Sequence, residues 1–77
     1  MSADVEPLQV LVPGAEIEIH AGCRLGVEYW DRYTVVDWEP PRIAPDGRVL
    51  FSARHHGTGG VCPMMVAPGR IRVVVEP

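Results

Sequence analysis

The chain has 77 residues, 47% of them hydrophobic and 22% charged, and carries a formal net charge of −3. That apolar content excludes a disordered chain, no apolar run approaches the roughly 18 residues of a membrane span, and the negative charge works against generic attraction to nucleic-acid phosphates. So short a chain makes one domain with a thin core, because it buries only about 60% of the surface that its unfolded form exposes.

The opening Met1-Ser2-Ala3-Asp4-Val5-Glu6 is acidic and lacks the basic and apolar regions of a signal peptide, which predicts a cytoplasmic protein. Every basic residue is arginine, and lysine and asparagine are absent. The depleted residues have AT-rich codons, so a GC-rich bacterial or bacteriophage genome is expected. Eight prolines and eight glycines divide the chain into intervals that suit strands and leave no room for an ordinary amphipathic helix.

In chain order, Leu8 to Val12 is predicted as a first short strand, closed by Pro13-Gly14. Ala15 to His20 is a second, with Ile17 and Ile19 facing inward and Glu16, Glu18 and His20 facing water. Ala21 to Glu28 carries two glycines and Cys23 and reads as a long loop. Tyr29 to Trp38 then holds Tyr29, Trp30, Tyr33 and Trp38, all the aromatic rings but Phe51. Aromatic and β-branched residues in that density favour a strand, with Tyr33, Val35 and Asp37 pointing one way and Arg32, Thr34, Val36 and Trp38 the other.

Pro40-Pro41 ends that strand, and Pro45-Asp46-Gly47 marks a hairpin turn. Arg48 to Arg54 is a strand with Val49, Phe51 and Ala53 on one face. A glycine-rich loop follows from His55 to Gly60, then a strand from Val61 to Ala67 weakened by Pro63, a one-turn corner at Pro68-Gly69-Arg70, and a last strand from Ile71 to Glu76.

This order, with the ending Val-Ala-Pro-Gly-Arg-Ile-Arg-Val-Val, resembles the small prokaryotic SH3-like β-barrels over Pro13 to Glu76. The resemblance implies an all-β barrel of five or six short antiparallel strands with a 3₁₀ corner over residues 13–77, preceded by residues 1–12 as an N-terminal arm or extra edge strand. Cys23, Arg24 and Leu25 stand where proline-binding SH3 domains carry acidic residues, so that activity is not implied. An OB-like five-stranded barrel is the alternative, though its usual helix has no room here.

Four sets of residues carry candidate chemistry. His20, Cys23, His55, His56 and Cys62 are zinc-ligand types, but their intervals match no standard zinc motif, and no cofactor is expected. Cys23 and Cys62 would close a loop worth roughly 4 kcal/mol if bridged; a cytoplasmic location predicts two reduced, partly buried thiols instead. Arg48, Arg54, Arg70 and Arg72 form a candidate phosphate-binding patch, though solvated charges that guard strand edges explain the same pattern without a ligand and suit the negative net charge better. No nucleophile elbow or phosphate loop occurs, so catalysis is not expected.

The remaining set points to assembly. Tyr29 and Trp30, where the loop meets the strand, and Trp38 near the proline pair are candidate interface rings. Val10, Leu11 and Val12 belong to an apolar segment beyond the needs of a five-stranded barrel, which either folds back onto its own barrel or, as expected here, pairs with a second copy or another protein chain. The function expected is therefore a non-catalytic binding or structural module, with nucleic-acid binding through the arginines as the alternative.

Overall fold

The computed structural model describes residues 10–74. Its strands are β1 (Glu16–Arg24), β2 (Val27–Val35), β3 (Arg42–Ile43), β4 (Val49–His55), β5 (Val61–Val66) and β6 (Ile71–Val73), with a 3₁₀ turn at Pro68–Arg70. All pairings are antiparallel, in the order β3-β4-β2-β1-β6, with β5 on the other edge of β4. The sheet curls into an all-β half-barrel, compatible with the SH3-like fold. Beyond the 3₁₀ turn and the helical backbone of Val10, no helix occurs among the described residues.

The core follows the alternation of each strand. Ile17 and Ile19 of β1, Val35 of β2, Val49, Phe51 and Ala53 of β4 and Val66 of β5 are buried together, and Tyr33, Met64 and Ile71 pack against them. Phe51 is the one aromatic ring in this buried set. The rings of the Tyr29–Trp38 stretch instead stay half-buried or exposed, because small branched side chains fill the narrow space between the curled strands.

Four expectations are corrected here. Leu11 is only 1% exposed and belongs to this core, with Val10 packed beside it. The predicted strand at Leu8–Val12 is absent where it is described, since Val10 is helical and Leu11 and Val12 are irregular; Leu8 and Gln9 lie outside the described residues. Gly14 and Ala15 then lock the segment to the end of β2, the Gly14 N–H donating to the Val35 carbonyl and the Val35 N–H to the Ala15 carbonyl. Leu11 thus buries its side chain against its own barrel, while the neighbouring Val12 stays 49% exposed.

The second correction concerns Ala21–Glu28, which is a hairpin rather than a loop. β1 runs on to Arg24 and turns through Leu25-Gly26 into β2. Ala21 is the extra residue of a bulge, where the register shifts between His20 and Gly22, and Gly22 at φ 154° takes a backbone that side chains disfavour. Third, β2 stops at Val35, because its outward backbone groups lose their partner after the Val36 N–H donates to Ser52, and Asp37 to Glu39 bend away toward Pro40. Fourth, Cys23 and Cys62 are free thiols as expected but both exposed, not partly buried.

Pro63 fits its strand without breaking it. The His55 N–H donates to the Gly60 carbonyl, and alternation along the ladder then places Pro63, opposite Ser52, with its ring nitrogen toward the open edge of β5. The proline thus costs no ladder bond and spoils the edge for another strand. The last predicted strand is seen as Ile71–Val73, with Val75 and Glu76 outside the described residues.

Candidate interaction surface

The most distinctive feature follows from unequal pairing. β6 reaches β1 only over Ile17–Ile19, and β4 reaches β2 only over Tyr33–Val35. The β1–β2 hairpin runs past both neighbours, so from about His20 to Asp31 it stands as a two-stranded arm. At its tip Leu25 has φ 53° and Gly26 φ 79°, the two positive dihedrals of the tight turn whose twist suits paired strands. Leu25 is 95% exposed there, and Val27 and Tyr29, which share one face of β2 by alternation, are about half exposed.

The opposite face of the same hairpin is polar and internally satisfied. Trp30 is half-buried beneath the Arg72 guanidinium, 4.0 Å from its ring centre, and His20 meets it edge-on at 5.1 Å. Arg72 also donates to Glu18 at 2.8 Å, and Arg32 lies 3.8 and 3.9 Å from Glu18 and Glu16. His56 shares a 2.7 Å hydrogen bond with the Thr34 hydroxyl. His20 accepts from Arg70 at Nδ1, which leaves its Nε2–H to donate to Glu28 at 3.1 Å. Most of these contacts join β1 to its neighbours, and Arg72 reaches across β1 from β6 to Trp30 of β2, so this face is a lattice of cross-strand contacts.

The candidate partner-binding residues therefore separate. Tyr29 is open to solvent on the arm, whereas one face of Trp30 is already covered by Arg72. Trp38 is 63% exposed but follows the end of β2 remote from the tip, the end where Val12 is also exposed beside the Gly14–Val35 contact. Leu11 is in the core. Sequence reasoning missed Leu25, the most exposed of these apolar groups, and Val27 beside Tyr29 on the arm. Their signal was a two-residue Leu-Gly unit between strand-forming runs, obscured by Gly22 just before it.

The arginines of the phosphate alternative also separate. Arg48 is held by Asp46 through two contacts of 2.6 Å, Arg70 by the His20 ring and carbonyl, and Arg72 by Glu18. Arg54 has no ion pair among the described residues. Arg48 and Arg70 do share an open depression of about 350 Å³ with His20, floored by Ile19 and Val66. The Arg48 contacts hold the Asp46 carboxyl below its ordinary pKa.

The zinc-type residues are engaged apart from one another. His55 Nδ1 accepts from the Thr58 N–H, its Nε2 lies 3.6 Å from Asp31, and its ring meets Tyr33 edge-on. Partial burial, then the nearby Asp31 and Cys62, raise the Tyr33 hydroxyl above its usual pKa. Cys62 contacts Met64, and Cys23 is exposed on the arm. Among the described residues no three His, Cys, Asp or Glu side chains gather where a metal ion would bind. No helix of the described residues is long and apolar enough to cross a membrane.

Fold and surface together define a small all-β half-barrel with one projecting hairpin arm. No known family model, curated protein or solved structure matches the chain.

Proposed function

We propose that this chain is a non-catalytic binding module of the small SH3-like kind, from a GC-rich bacterial or bacteriophage genome, that works in the cytoplasm by assembling with another protein chain through its hairpin arm. The observation that carries this reading is Leu25. A single exposed leucine needs no explanation, but this one also takes left-handed backbone, which costs a non-glycine residue roughly 1–2 kcal/mol. The fold receives no packing in return. A residue that violates both turn chemistry and burial is the kind expected where function, not stability, sets the choice.

Val27 and Tyr29 extend the apolar surface from that tip, and a tyrosine supplies contact area at low entropic cost. Three of the four arginines offered to nucleic acid are spent on partners within the chain, which favours a protein partner. Salt-dependent retention of DNA or RNA, lost on Arg54→Glu, would instead support the nucleic-acid reading.

The test uses Leu25→Asn in the full-length chain. Asparagine tolerates the left-handed turn, so the variant should melt roughly 3–6 °C higher while losing the protein that wild type retains from a GC-rich bacterial host. Retention unchanged in Leu25→Asn and in Tyr29→Ser would defeat the proposal.

A further inference from the structure

We infer that the open β2 edge of the arm pairs with the same edge of a second copy, so that two chains join by an antiparallel strand pair centred on Tyr29. The inference rests on the binding-module reading and identifies its partner. The Arg32 carbonyl accepts from His56 and the Val36 N–H donates to Ser52, so the even-numbered residues of β2 direct their backbone groups toward the β4 side. Glu28 and Trp30 share that direction but lie beyond the end of β4, and their N–H and C=O groups have no strand partner among the described residues.

The other edges are short or defended. Pro63 removes a donor from the free side of β5, β3 has two residues and β6 three, and the Arg70 guanidinium donates to the His20 carbonyl just before β6 begins. Glu28 to Asp31 carries no proline, bulge or lysine on its outward side. An open edge this close to exposed Val27 and Tyr29 is the arrangement that proteins use for strand addition.

The register argues for self-pairing. A two-fold axis at Tyr29 sets Tyr29 against its own copy, Val27 against Asp31, and Glu28 and Trp30 into two reciprocal pairs with four backbone hydrogen bonds, and no like charges oppose. An axis at Trp30 would bring the partner's Glu28 against Arg32, where the His56 N–H already occupies the carbonyl. The Tyr29 axis brings only Gly26, which already belongs to the turn, opposite Arg32 and asks no bond of that carbonyl.

The experiment is sedimentation of the full-length chain over a wide concentration range. Wild type should be a reversible dimer, and Glu28→Ala should remain one. Glu28→Pro loses the same carboxylate contact to His20 as Glu28→Ala and, beyond it, only the outward N–H, with the arm's backbone bonds to β1 left in place; it should weaken the dimer roughly tenfold to a hundredfold relative to Glu28→Ala with an unchanged circular dichroism spectrum. Tyr29→Lys, which sets like charges across the axis, should do the same. Hydrogen exchange needs no substitution: the Glu28 and Trp30 amides should become protected as concentration rises. The inference is overturned by a dimer indifferent to both variants, or by a wild-type monomer whose two amides exchange freely or are protected at every concentration by the chain's own residues 1–9. A wild-type monomer that still retains a different protein through Leu25 would remove the dimer and leave the binding module standing.

Discussion

Replacing Leu11 with alanine is the sharpest test of how the N-terminal segment is used. The side chain is only 1% exposed and touches the cluster of Ile17, Val35 and Val49. Truncating a leucine in such a site costs about 2–5 kcal/mol, the transfer term plus the cavity left behind. A domain of this length has roughly 4–12 kcal/mol to lose, and a thin core puts it toward the lower end. Taking about 3 kcal/mol, the melting temperature should fall by roughly 12–24 °C. Val12→Ala, at an exposed neighbouring position, should change stability by less than about 0.5 kcal/mol. Thermal and urea unfolding of the three chains by circular dichroism would measure both effects. If Leu11→Ala melts within a few degrees of wild type, the segment is not part of the core, and its apolar surface is again available for assembly. The same reasoning makes removal of residues 1–12 a destabilising deletion.

Two further outcomes follow from the polar faces. Arg72→Ala removes both the stack on Trp30 and the bond to Glu18; it should cost about 1 kcal/mol and shift Trp30 fluorescence to the red, with Arg72→Lys only partly restoring either. Asp46, whose folded pKa is lowered by the Arg48 hydrogen bonds, stabilises the turn above its unfolded value near 3.8 and loses that contribution as pH falls through the folded value. Carboxyl titration by NMR should place its midpoint below the ordinary aspartate range in wild type and return it there in Arg48→Ala.

Much of the fold was legible because it is written in short-range chemistry. Alternation placed Ile17, Ile19, Val49, Phe51 and Ala53 in the core, since period two is a property of the strand itself. Pro45-Asp46-Gly47 and Pro68-Gly69-Arg70 turn where their dihedral preferences require. The candidate site was less legible. The rings of Tyr29, Trp30 and Trp38 showed that a surface was available, but which face of Trp30 is covered depends on Arg72, 42 positions along the chain.

What the sequence determined by itself was therefore the alternation within β1, β4 and β6, the corners and the all-β class. Only the tertiary structure decided that Leu11 folds inward, that Ala21–Glu28 continues two strands instead of looping, and that the arm outruns β4 and β6. Those outcomes depend on where neighbouring strands end, a long-range balance of pairing and burial that no local preference encodes. The exposed Leu25 and the open edge at Glu28 and Trp30 exist because of that mismatch in length.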